Sequence, residues 1–227
     1  TYSKIMLKDK QTALTTAKYL LEIEAVRLQP EKYFTWASGW HSPIYCDNRM
    51  TLSYPKIRTF LAESFAKIVQ NGDTYPDVIA GVATGAIAVG MLVAQQLGLP
   101  FVYVRPEPKS HGRGNQIEGC LQAGQKVVVI EDLISTGGSS LGAVTALREA
   151  GAQVLYMAAI MTYGFSVAQD NFEKAGVTLT TLCDYDTLIT QAAAMHYVQP
   201  SDLELLARWR ENPSQWKKED TAPEGEK

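Results

Sequence analysis

The 227 residues contain only three cysteines, Cys46, Cys120 and Cys183. They are odd in number, widely spaced and without a C-x-x-C pair, so neither a disulfide framework nor a structural zinc site is expected. Such sparse cysteine fits a reduced, cytoplasmic compartment. Long hydrophobic runs are also missing. The longest, Ile87 to Ala94, falls far short of the ~20 residues of a membrane span, and no signal-peptide pattern is read at the start. Charge of one sign is not in excess either: 21 basic against 24 acidic side chains leave a net charge of −3. A nucleic-acid or membrane-surface partner would want a basic footprint that this balance does not supply. Two nucleotide-binding patterns are absent as well, G-x-x-x-x-G-K-[ST] and a post-strand G-x-G-x-x-G.

What is present suits one α/β domain with additions, since 46% hydrophobic residues can fill a core. Apolar spacing predicts a helix over Gln11–Leu28 and a second opened by Pro55 and closed by Asn71-Gly72. Strands are then expected at Val78–Val82, Phe101–Val104, Lys126–Ile130, Val154–Met161 and Thr178–Leu182, alternating with helices at Gly85–Leu97, Ser139–Ala150 and Phe165–Ala175. Gly98 and Gly151 stand where helix C-caps belong. Continuous apolar strands between helices predict a mostly parallel sheet covered on both faces. Ala86–Leu97 is apolar nearly all round, which suits burial between the sheet and a neighbouring element or subunit. A short helix is expected over Asp202–Arg210, and the polar segment Asn212–Lys227 reads as a frayed tail.

The densest stretch is Val127-Val128-Val129-Ile130-Glu131-Asp132-Leu133-Ile134-Ser135-Thr136-Gly137-Gly138-Ser139-Ser140. A β-branched run stops on two carboxylates, and a turn of glycines and hydroxyls precedes a helix. Glycine-rich turns at helix N-termini present bare N–H groups to phosphate, and adjacent acids can take sugar hydroxyls. The plain alternative is an ordinary strand-to-helix connection. Two acids at the end of a buried strand weigh against it, because they cost desolvation unless something binds there. The segment resembles the phosphoribosyl-pyrophosphate (PRPP) motif of the type I phosphoribosyltransferases.

A second stretch, Arg105-Pro106-Glu107-Pro108-Lys109-Ser110-His111-Gly112-Arg113-Gly114, leaves a strand for some fifteen residues without apolar periodicity. Arginine forks and lysine charges at this spacing could hold pyrophosphate, although a solvated charged loop would read alike. It is similar to the R-x-E-x-K-x-H-G loop of the orotate phosphoribosyltransferases, through Arg105, Glu107, Lys109, His111 and Gly112. Many members carry a lysine directly after the arginine, where this chain has Pro106. The third stretch runs from Phe34 to Arg49, rich in aromatics, glycine and proline. It could form a flat pocket with Tyr45 stacking, or a hairpin with buried aromatics. It resembles that family's signature F-[TS]-x-x-S-G-x-x-S-P-x-[YF]. Some members have lysine where Ala37 stands, so no lysine contact carries over, and His41 is the polar candidate nearby.

The resemblance implies a type I phosphoribosyltransferase fold, Rossmann-like, with a small hood. A single domain would span residues 1–211, with hood and base segment to about 55, α/β core over 56–185 and a helical part over 186–211. It implies transfer of the phosphoribosyl group from PRPP to N1 of orotate with Mg²⁺, which the protein would hold only through substrate and waters near Glu131 and Asp132. Lys109, His111, Arg105 and Asp132 would be catalytic. PRPP would also meet Leu133, Ile134, Ser135, Thr136, Gly137, Gly138 and Ser139, and in the pyrophosphate loop Thr84 and Gly85. Orotate would meet Ser135, Tyr45, Cys46, Tyr163 and Gly164. Some relatives place an arginine near Gly164, and this chain has none there in sequence. A homodimer is implied, with loop 105–119 donated to the neighbouring subunit. A purine or other pyrimidine phosphoribosyltransferase would share Glu131–Ser140 but not Phe34–Arg49. A PRPP-sensing regulator would be expected to lose the Arg105–His111 chemistry, and an added decarboxylase barrel of ~250 residues does not fit the length.

Overall fold

The computed structural model describes residues 5–107 and 116–216. The chain opens with β1 (Ile5–Leu7), α1 (Lys10–Glu22) and β2 (Val26–Leu28), followed by the short strands β3 (Phe34–Thr35), β4 (His41–Ser42) and β5 (Ile44–Cys46). A 3-10 turn over Asn48–Ser53 leads into α2 (Pro55–Gln70). The alternation then runs β6 (Val78–Val82), α3 (Ile87–Leu97), β7 (Phe101–Val104), β8 (Ile117–Glu118), β9 (Lys126–Ile134), α4 (Gly138–Glu149), β10 (Gln153–Thr162), α5 (Ser166–Ala175) and β11 (Leu179–Asp184). Helices α6 (Tyr185–Ala194) and α7 (Leu203–Glu211) follow, joined through a short 3-10 turn, Pro200–Asp202.

Seven strands form the central sheet in the order β1-β11-β10-β9-β6-β7-β8. Every pairing is parallel except β7 with β8. This is the mostly parallel, helix-flanked sheet that the alternation predicts. Successive strand residues face opposite sides, and both sides are covered. Val127 and Val129 belong to one core cluster with Val144 and Leu147 of α4, whereas Val128 and Ile130 belong to a second with Val89 and Val93 of α3. Two covered faces explain why these strands read as unbroken apolar runs. Each fully buried aliphatic or aromatic side chain adds about 1.5–3 kcal/mol of hydrophobic stabilisation.

Three expectations shift. The first helix stops at Glu22, not Leu28. Glu24 takes a positive φ of 56°, and Val26 and Leu28 pair with Cys46 and Ile44 as strand residues. Strand β9 does not end at Ile130. Its partner β10 runs on to Thr162, and pairing continues to Ile134 opposite it, so Glu131 and Asp132 lie within the strand. The loop after β7 is shorter than read, because buried Ile117 pairs with Val104.

The first strand belongs to the main sheet, and the small hood is made of two ribbons, β2 with β5 and β3 with β4. An aromatic cluster pins the hood to the body. Trp209 of α7 is fully buried and packs edge-on against Trp36 and Tyr163 at centroid distances of 5.7 and 5.8 Å. Its indole N–H donates to the His41 carbonyl at 3.2 Å. Helix α3 buries Val89, Gly90, Val93 and Ala94, and leaves Met91 exposed.

Candidate active site

Glu131 and Asp132 point to opposite sides of the sheet, as neighbours on a strand must. Glu131 faces α4, only 4% exposed. It accepts the Ser140 hydroxyl at 2.7 Å and the Asp132 backbone N–H at 2.9 Å. Burial pushes its carboxyl well above the usual range, and the neighbouring Asp132 charge pushes it further. Asp132 faces the turn between β6 and α3. A Cβ on Gly85 would run into the Asp132 carboxylate, so only glycine lets that turn approach so closely. The turn also holds exposed Thr84 and a cis Ala83–Thr84 peptide bond.

Past β9 the chain turns through Ser135, Thr136 and Gly137 into α4. Gly137 caps that helix in a left-handed conformation, φ 83°. A Cβ there would also strike Phe172, at 2.7 Å. Asn171 steadies the turn by donating to the Thr136 carbonyl at 3.0 Å. The first-turn N–H groups of α4, from Gly138 and Ser139 onward, then face outward where a phosphate can meet them.

Beside this turn lies a cavity of about 380 Å³ lined by Thr35, Trp36, Ala37, Tyr45, Cys46, Leu133, Ser135 and Tyr163. Four of the five residues expected at the base, Ser135, Tyr45, Cys46 and Tyr163, thus share one wall. The fifth, Gly164, follows Tyr163 with φ 69°, its N–H donating to the Thr162 hydroxyl at 3.1 Å. Leu133, expected at PRPP, is also in the wall of this cavity. Ile134 is fully buried, leaving only its backbone for any ligand. That carbonyl already accepts the Tyr163 N–H at 3.1 Å. The Cys46 thiol and the Tyr163 phenol are held well above their ordinary values, chiefly by burial. Both remain neutral hydrogen-bonding groups, and Trp36 stacks on Tyr163 at 5.2 Å.

Arg105 lies where the stem of the charged loop begins. Its backbone N–H donates to the Gln116 carbonyl at 2.9 Å, and its guanidinium sits 3.7 Å from Glu118. Lys109 and His111 lie outside the described residues. His41 is buried, stacked on Tyr33 at 4.3 Å, and does not line the cavity.

Three residues escaped the sequence reading. Asn48, 3% exposed, donates to the Asp132 carbonyl at 2.8 Å. Arg49 is forked by Asp47 at 2.7 and 3.0 Å, and that hydrogen-bonded carboxylate raises its basicity. Arg210, from α7, brings Nη1 to 3.5 Å from where a Cβ on Gly164 would stand. The D-N-R run after the base motif could have flagged the first two. Nothing local ties Arg210 to Gly164.

No group of three His, Cys, Asp or Glu side chains that could hold a metal converges among the described residues. Buried against α4 and engaged by Ser140, Glu131 does not reach a hydrated cation, whereas Asp132 suits one that keeps most of its waters and takes further oxygens from a phosphorylated ligand. No helix among the described residues is long and apolar enough to cross a membrane.

Residues 50–180 match the phosphoribosyl transferase domain family. The orotate phosphoribosyltransferase of Cytophaga hutchinsonii is 53% identical over 209 residues, 92% of this chain and 98% of that protein. Among solved structures, the orotate phosphoribosyltransferase of Aeropyrum pernix superposes with a TM-score of 0.69 at 28% identity, over 81% of this chain and 99% of that one. UMP synthase of Leishmania donovani superposes with a TM-score of 0.74 at 26% identity, over 88% of this chain and only 43% of that longer one. These likenesses make the chain a member of the orotate phosphoribosyltransferase family, the pentosyltransferases of pyrimidine biosynthesis.

Proposed function

We propose that the cavity and the β9–α4 turn form one site that transfers the 5-phosphoribosyl group of PRPP to N1 of orotate, giving orotidine 5′-monophosphate and pyrophosphate. One observation carries this reading: the cavity wall is built jointly by the base segment (Trp36, Ala37, Tyr45, Cys46) and by Leu133 and Ser135 at the end of β9. A base held there lies against the sugar-phosphate segment.

Displacement at C1 of the ribose passes through an oxocarbenium-like state that needs no protein nucleophile. It needs positioning, neutralisation of the leaving group and exclusion of water. Asp132, aimed at Gly85, takes the ribose hydroxyls. Glu131 supports it from the other face of the strand, its side chain already engaged by Ser140. The N–H groups from Thr136 to Ser139 take the 5′-phosphate. Thr84 and the backbone at Gly85 take pyrophosphate oxygens. Ser135, Tyr45, Cys46, Tyr163 and the backbone at Gly164 hold orotate with neutral groups. Asp132 would hold Mg²⁺ through the cation's own waters, and the cation would supply charge neutralisation for the departing pyrophosphate.

Lys109, Arg105 and His111 stabilise departing pyrophosphate, and the imidazole is the group able to give it a proton near neutral pH. In this reading the loop reaches the site of a second copy. The exposed side chains of Met50, Tyr54 and Met91 offer apolar surface for such a pairing. The enzyme works in the cytoplasm, in keeping with its sparse, unpaired cysteines. The direct test follows loss of orotate absorbance with PRPP and Mg²⁺, with uracil, hypoxanthine and adenine as controls. Orotate alone should be consumed, and only with Mg²⁺ present. Turnover of a control base in its place would overturn the assignment.

A further inference from the structure

The turn between the base cavity and α2 is fastened at several points. Asp47 accepts the Arg49 backbone N–H at 3.2 Å, and the Thr51 hydroxyl donates to the Asn48 carbonyl at 2.6 Å. The Asn48 side chain has both ends of its amide in use. The Cys46 thiol donates to its Oδ1 at 3.2 Å, and its Nδ2 donates to the Asp132 carbonyl at 2.8 Å. Cys46 is in the cavity wall, and Asp132 lies 84 residues beyond Asn48 along the chain. An amide has direction, with an acceptor at one end and donors at the other. Buried as Asn48 is, neither end can be left unmade cheaply.

We propose that Asn48 is a positioning residue that couples the base cavity to the ribose-binding end of β9. The inference rests on the functional reading above. Asn48 itself does not line the cavity. It sets the Cys46 thiol on one side and the Asp132 peptide on the other. A base pressing on Cys46 therefore acts on the strand position that presents the Asp132 carboxylate. Alignment is where such a bridge tells, since a misplacement of about 1 Å can cost on the order of 100-fold in rate.

The test is steady-state kinetics on the full chain carrying Asn48→Asp, which keeps the shape but sets an oxygen against the Asp132 carbonyl. A positioning role lowers kcat by roughly 100-fold while KM for orotate and for PRPP each move less than about threefold, the pattern of an interaction realised in the transition state. A double-mutant cycle reads the bridge itself: Cys46→Ala should add little to the loss caused by Asn48→Ala. Raised KM at unchanged kcat, fully additive losses, or a kcat loss that matches the unfolded fraction would each overturn the inference. Should Asn48→Asp not fold, Asn48→Ser supplies the same kinetic comparison. If the unsubstituted protein fails to turn over orotate with PRPP, the functional reading falls and this inference with it. Normal turnover in both the parent and the Asn48 variants sinks this inference alone.

Discussion

Ser140 donates its hydroxyl to Glu131 over 2.7 Å inside the interface between β9 and α4, where both side chains are almost wholly buried. The bond serves a carboxylate that its surroundings disfavour as an anion. Burial comes first among the causes and the Asp132 charge second, and both raise its proton affinity. A carboxyl whose folded pKa lies above its unfolded value gives stability at low pH and loses it as pH climbs through the folded value.

The first prediction follows from that sign. Glu131→Gln should unfold at the same denaturant concentration as the parent at pH near 4. The variant should then become progressively the more stable of the two as pH rises through the displaced titration of Glu131. Urea melts at a series of pH values without ligand provide the measurement. A gap that narrows with rising pH would contradict the assignment. Ser140→Ala should act in the opposite sense, costing about 1–3 kcal/mol by stripping a partner from a buried acceptor.

The second prediction concerns the turn beneath Asp132. Gly85→Ala places a methyl group against the Asp132 carboxylate, so one of them must move. Activity should fall by on the order of 100-fold through misalignment, with the fold retained. Gly142→Ala is the control. That glycine is exposed on α4 with nothing within 4 Å of the added carbon. It should stabilise the protein by about 0.5–1 kcal/mol, the helix preference of alanine over glycine. Chemical denaturation and orotate turnover on both variants separate steric from propensity effects.

These sites also mark how far the sequence could be read. β6 and β7 were legible to the residue: Val78–Val82 is apolar and buried throughout, and Phe101–Val104 alternates half-buried aromatics with buried valines. β9 looked shorter than it is, since Glu131 ends the apolar pattern while the backbone ladder continues. Its compensation, the Ser140 hydroxyl, is a tertiary contact. Helix α1 looked longer because Val26 and Leu28 keep an apolar phase across the turn at Glu24. Helix α6 was expected only as part of a helical stretch over 186–211, without bounds of its own, its inward residues Tyr185, Leu188 and Ala192 being too few to mark a period. The residue types lining the cavity were visible in the Phe34–Arg49 motif. Their convergence with Leu133 was not, and neither was the Asn48 bond to Asp132, because long-range pairing leaves no local periodicity.

A third prediction addresses charge. Orotate is an anion, yet none of the eight residues lining the cavity carries a positive charge. Arg210 stands beside Gly164, 3.5 Å from a competing carboxylate, that of Asp186, whose side chain is 71% exposed. An exposed ion pair of this kind contributes about 0–1 kcal/mol, so the arginine is easily drawn away. Arg210→Met should raise KM for orotate about tenfold, a loss of roughly 1.4 kcal/mol, with KM for PRPP little changed. Equal KM values for orotate in parent and variant would remove Arg210 from the base site.

The last prediction tests whether two copies build each site. Lys109 and Asp132 are assigned to the same reaction, but the loop carrying Lys109 is proposed to reach the neighbouring subunit. Lys109→Ala and Asp132→Asn homodimers should each be nearly inactive. Mixed and allowed to exchange, they form heterodimers in which one site has lost both residues and the other has neither lesion. Equal mixing with random reassortment should restore about a quarter of parental activity, since half the dimers are mixed and half their sites intact. Differently tagged subunits, purified through both tags, establish that heterodimers exist. Activity recovered only in that fraction supports a shared site. Inactive heterodimers would place the loop over its own subunit and remove Lys109 from the partner's chemistry.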